Sequence, residues 1–181
     1  MKIVTISHSN VAIRQQWFWE EVSNRGNDVL IIAPGQWGQL RTTNQVLLDS
    51  RGNVEIMTLR HIGGDSIYQA SFLGLGSLLD EKAKDADWLI CQDEPESQIA
   101  DQCYTWSRVN KVKLCIFTWQ NIKFEYIPSC LRMADLVVCG NPEAVELVRV
   151  HNHHTALILQ VGIDCDHFAA RPNVKRDIKL G

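Results

Sequence analysis

The sequence predicts an α/β protein with a Rossmann-like open, mainly parallel sheet and helices on both faces. Short apolar runs such as "KIVTI", "DVLIIAP", "DWLICQ" and "KVKLCIFT" alternate with segments of helical periodicity, the pattern of repeated βαβ units. A chain of 181 residues with 45% hydrophobic composition also fits one full core better than two, so a single globular unit is expected.

"KIVTI" is the first strand. Ile13, Trp17, Phe18 and Val22 recur at helical spacing, predicting a helix over 12–25. Gly26 is placed to end that helix in a left-handed conformation, and "DVLIIAP" follows as strand two. Residues 35–53 read as a variable loop with room for a hairpin. "VEIMTL" is the third strand, followed by a helix near 66–84 that Gly74 and Gly76 weaken. Then come strand "DWLICQ", a helix over 96–109, strand "KVKLCIFT", a short helix near 124–133 and strand "DLVVCG". Asn141, Pro142 and Glu143 supply an N-cap, a preorganised first turn and a carboxylate that complements the helix dipole. "TALILQV" closes the series. The sequence thus divides into a domain over 1–161 and a mostly polar linker over 162–181.

A net charge of −3, with scattered Lys and Arg, gives no electrostatic footprint for nucleic acid. Small molecules or proteins are the expected partners. The six cysteines form no C-x-x-C pair and several lie in apolar runs, so buried free thiols in a reducing cytoplasm are expected. "MKIVTI" lacks the features of a signal peptide, and no run approaches the roughly 20 apolar residues of a membrane span. Peripheral membrane contact needs no such run and stays open; for "IKFEYI", however, a short amphipathic helix packed on the sheet is the preferred reading.

Ligands of open α/β sheets bind beyond the carboxyl ends of the strands. Those ends carry "SHSNVAIRQQ", "CQDEPESQ", "TWQNIKFEY", "GNPEA" and "GIDCD". Each offers hydrogen-bonding groups, several beside an aromatic, a collection suited to a polyhydroxylated ligand. Taken singly, each Ser, Asn, Asp or Pro is better explained as a cap or turn residue; their convergence makes the functional case. No glycine-rich dinucleotide fingerprint, phosphate loop or G-x-S-x-G elbow is present, and no cofactor is expected. "HNHH" at 151–154 reads as solvated imidazoles at a helix C-terminus and "DEPE" as dipole complementarity, so no metal is expected either.

Together "FTWQNI", "QDEPESQ", "ADLVVCGNPEAVELVR" and "VGIDCDHF" resemble the N-terminal domain of family 4 retaining glycosyltransferases of GT-B architecture, in order and spacing over nearly the whole chain. The resemblance implies an acceptor-binding domain that works with a C-terminal domain holding a nucleotide sugar, and transfer to an acceptor hydroxyl with retention. The family's donor-side pair of glutamates eight residues apart does not occur among the nine glutamates here, so the chain alone is expected to be inactive. By the same resemblance His8, Ser9, Asn10 and Arg14 border the acceptor pocket, and Asp93 and Glu94 lie on the cleft floor. Thr118 stands where many relatives carry a histidine; Trp119 is a stacking wall with a core-packed alternative, and Gln120 and Asn121 are amide contacts. Asn141, Gly162 and Asp164 fall on the donor side or hinge. The competing readings are a nucleotide-sugar epimerase of the same plan and a non-catalytic Rossmann-like binding module.

Overall fold

A computed structural model describes residues 1–38, 54–119 and 123–158, apart from the side chains of residues 13 and 14. The predicted strand tail 158–161 lies mostly outside the described residues, and the linker 162–181 lies wholly outside them.

Seven strands form one parallel sheet: β1 (Lys2–Ile6), β2 (Asp28–Pro34), β3 (Val54–Leu59), β6 (Trp88–Cys91), β7 (Lys113–Thr118), β8 (Leu136–Cys139) and β9 (Thr155–Leu157), in the order β3-β2-β1-β6-β7-β8-β9. This is the expected open α/β Rossmann-like fold. The chain winds outward from β1 through β2 to β3, then returns to place β6 on the other side of β1 and winds the opposite way. The order therefore reverses between β1 and β6, where the crossover helices part and leave a crevice beyond the strand ends. In register, Ile6 stands beside both Ile32 and Cys91, so the ends of β1 and β6 lie level, while β2 runs two residues further to Pro34.

Side chains alternate across the sheet. Val4, Ile6, Leu30, Ile32, Leu89, Leu114, Ile116 and Val137 face the larger core with residues of α2 (Leu75–Lys82), α3 (Gln98–Asn110), α4 (Ser129–Met133) and α5 (Pro142–Arg149). Ile3, Val29, Ile31 and Val54 face the other side, where α1 (Ile13–Asn24) contributes Trp19.

Three expectations need correction. The helical spacing noted for α1 does not mark a single buried face: Val22 packs on the core and Trp17 and Phe18 are exposed, whereas Trp19 and Gln16 are buried. The Trp19 indole N–H donates to Gln92 Oε1 at 3.2 Å, and its ring adds one of the larger apolar surfaces in that cluster. The helix expected over 66–84 is shorter. A small antiparallel pair, β4 (His61–Ile62) and β5 (Ser71–Phe72), precedes it, and Gly74 at φ +76° starts α2 from a left-handed conformation. The helix expected over 124–133 begins only after Pro128, because proline disfavours helical geometry in the residue before it. Residues 123–127 are thus not an amphipathic helix, although Phe124 is buried and Tyr126 exposed.

Other expectations hold. Gly26 is left-handed at φ +84°, and the Asn141 side chain accepts from Ala144 N–H at 2.7 Å ahead of Pro142. Among the described residues the cysteines are free and buried.

Candidate functional site

The crevice at the strand reversal is built from the residues just past β1 and β6. Ser7 ends β1 in extended geometry and caps a 3-10 turn over His8–Val11, its Oγ accepting from Ser9 N–H at 3.0 Å. That turn swings the His8 backbone and ring toward Asp93. The Asp93 carboxylate is 1% exposed, and a buried carboxylate must be matched by donors. It accepts from Ser7 Oγ at 3.1 Å, from His8 N–H at 3.3 Å and from the His8 ring through Nδ1. A carboxylate facing Nδ1 fixes the proton there in the neutral ring, which leaves Nε2 with the lone pair. Ser9 Oγ lies 2.8 Å from Ser7 Oγ and extends the same network.

A second group follows directly. Glu94, partly exposed, is held by the Thr118 hydroxyl at the end of β7 and by Trp119 N–H at 3.1 Å. Asn141 Nδ2 donates to the Trp119 carbonyl at 2.9 Å, tying the end of β7 to the start of α5. The Trp119 indole lies over Gly140: a Cβ there would stand 2.0 Å from its Nε1. It also packs at 5.7 Å on the Phe117 ring, yet stays 42% exposed. Trp119 is therefore a supported wall with a solvent-facing side rather than a core plug.

His8, Ser9, Asp93, Glu94, Thr118, Trp119 and Asn141 thus occupy one rim, along the ends of β1, β6, β7 and β8. Asn10 sits beneath it, fully buried, with Nδ2 donating to Ile32 O at 3.4 Å and Oδ1 lacking a partner among the described residues. The Arg14 side chain and residues Gln120, Asn121, Gly162 and Asp164 lie outside the described residues.

Sequence reasoning passed over Ser7, Gln92 and Trp37. Ser7 carried a signal, since a serine two residues before another polar turn residue is a capping pattern. Gln92 Oε1 accepts from both Thr5 Oγ1 at 3.3 Å and the Trp19 indole at 3.2 Å. Trp37 packs 4.9 Å from the His8 ring and equally 4.9 Å from that of His61; nothing local in the sequence announces this, because the three rings meet only after folding.

The "HNHH" segment does not gather ligands. His153 and His154 are exposed, while Asn152 is buried and donates to Leu131 O and Ala134 O, both at 2.9 Å. No group of three or more metal-ligating side chains is assembled among the described residues. No helix among them is long and apolar enough to cross a membrane.

No family model and no curated protein matches the chain. Among solved structures, the crystal structure of MurG from Acinetobacter baumannii aligns over 78% of this chain at 10% identity, with a TM-score of 0.48. The chain spans 41% of the length of that protein.

Proposed function

We propose that this chain is the acceptor-binding domain of a glycosyltransferase, working with a nucleotide-sugar-binding domain beyond a linker at 162–181. The observation that carries this reading is the convergence of the His8–Asp93 and Glu94–Thr118–Trp119 groups on one rim at the strand reversal. Its supports are the order and spacing of the sequence motifs and the chemistry of the rim.

A sugar acceptor presents hydroxyls that need directed partners and C–H faces that pack on flat rings. His8 Nε2 offers an acceptor for a hydroxyl proton, and Trp119 offers the flat wall. The buried Asp93 fixes the His8 ring, so a hydroxyl bound there meets a preset lone pair without reorganisation. Closure against the donor half excludes water and completes the site.

Retention follows from the family resemblance, with the leaving diphosphate taking the hydroxyl proton. One observation favours a second stereochemical reading. A carboxylate-held imidazole is the arrangement of a general base, and a base on the acceptor side supports in-line displacement with inversion. The anomeric configuration of the product, read by NMR on a reaction of the enzyme that carries this domain, separates the two. We place the enzyme in the cytoplasm, with peripheral membrane contact where the acceptor is membrane-bound.

The test is calorimetric titration of the chain with nucleotide diphosphate sugars. Weak or absent binding is expected, because the donor is held by the other domain. Submicromolar binding would overturn the acceptor-side assignment.

A further inference from the structure

Beyond the ends of β2 and β3 lies a depression of about 510 Å³ lined by Gly35, Gln36, Thr58, Leu59, Arg60 and His61. We propose that it is a second subsite, which takes an anionic group, phosphate or carboxylate, carried by the acceptor away from its reacting hydroxyl. The inference rests on the acceptor-side reading for the identity of the ligand, but the site itself stands on its own geometry.

The depression belongs to the same rim. Pro34 and Leu59 are paired in register, and Gly35 N–H continues the ladder to Leu59 O at 3.1 Å, so both loops leave the sheet level. Arg60, the first residue past β3, is exposed and carries no ion pair among the described residues. The nearest acidic residues in sequence, Glu55 and Asp65, have other partners, Lys82 Nζ and His61 Nε2, each at 3.2 Å. That leaves the Arg60 guanidinium as the cation at this rim without an ion pair among the described residues. A planar guanidinium matches two oxygens of a phosphate or carboxylate at once. The Thr58 hydroxyl and Gln36 amide supply further donors, and none of these groups makes a neutral sugar the better occupant.

The link to the first site is Trp37. Its indole is 4% exposed and packs between the His8 and His61 rings, 4.9 Å from each, anchored on Val11 and Ala70. One ring therefore separates the depression from His8. An acceptor whose hydroxyl meets His8 can place a charged substituent over Arg60 by passing along this wall.

The experiment is amide NMR on the labelled 181-residue chain, titrated with inorganic phosphate, acetate and chloride at matched ionic strength. Saturable shifts at the Thr58–His61 amides with phosphate or acetate, absent with chloride, are expected. Arg60→Gln should weaken that binding about tenfold or more, with Arg60→Lys intermediate. Preference for phosphate over acetate points to a phosphorylated acceptor, and the reverse to a uronate; either supports the subsite. No saturable shift, an equal response to chloride, or an unchanged response in Arg60→Gln overturns it. Arg60 is exposed, and unaltered amides elsewhere in the spectrum verify that the variant is folded. Neutral saccharides titrated in parallel report on the His8 and Trp119 amides. If these fail while phosphate or acetate still acts at Arg60, the acceptor reading falls and the anion site stands.

Discussion

The Asp93 carboxylate, past the end of β6, is hydrogen-bonded to both the backbone N–H and the ring of His8, past the end of β1, across the gap where the strand order reverses. The pair joins the ends of β1 and β6 and orients the His8 imidazole. Asp93→Asn keeps the size but replaces an acceptor oxygen with an N–H₂ that confronts donors. Its expected cost is about 2–3 kcal/mol, the usual penalty for unmatched buried polar groups near a charge. Urea unfolding checks this: the midpoint should fall with an unchanged slope. His8→Gln, at a position with 23% side-chain exposure, should cost less than about 1 kcal/mol.

Gly140 is a glycine for the sake of Trp119. An added Cβ would stand 2.0 Å from the indole Nε1, yet the ring is 42% exposed and can swing out. Gly140→Ala is therefore expected to change stability by less than about 1 kcal/mol while displacing the wall. Intrinsic fluorescence should shift to the red relative to the parent chain, and saccharide-induced changes at Trp119 should disappear.

The sheet was legible because its strands are nearly continuous apolar runs bounded by turn residues. Where packing had to choose between faces, the pattern was ambiguous. Trp17, Phe18 and Trp19 are consecutive, and helical spacing serves any of them; burial of Trp19 was decided by Gln92, seventy-three positions away. The segment before α2 was included in the expected helix over 66–84, whereas Gly63 and Gly64, both at positive φ, lead into a small antiparallel pair instead. The rim was legible as a set of strand ends. Its pairings were not, since Asp93 meets His8 only when β6 is laid beside β1, and strand order is not written in local periodicity.

Burial pushes the Cys115 and Cys130 thiols up to about 12, and the Cys139 thiol up to about 11. A hydrogen bond with Cys103, then burial, raises Cys91 well above its ordinary value. A thiol whose folded value is raised holds its proton after the unfolded chain has lost it, so stability is full below the unfolded value of 9.0 and is lost as pH rises toward about 12. Chemical denaturation followed between pH 7 and 11 should show stability falling above about pH 9. At pH 7.5 the thiols of these four residues should resist alkylation until denaturant is added.

Asn152 ties the α4–β8 connection to the α5–β9 connection through its two bonds to Leu131 O and Ala134 O, both 2.9 Å. Asn152→Ala leaves two buried carbonyls without donors. A loss of about 2–3 kcal/mol is expected, read by urea unfolding, whereas replacing the exposed His153 with Ala should change stability by less than about 0.5 kcal/mol.

The central claim is that the rim at the ends of β1, β6 and β7 binds a saccharide acceptor. The most direct measurement is amide NMR of the chain titrated with a panel of neutral mono- and oligosaccharides, repeated on Trp119→Ala. The account predicts saturable shifts clustered at His8, Ser9, Asp93, Glu94 and Trp119 for at least one saccharide, lost in the variant. Shifts clustered on another face, or no saturable shift at the rim across the panel, would contradict it.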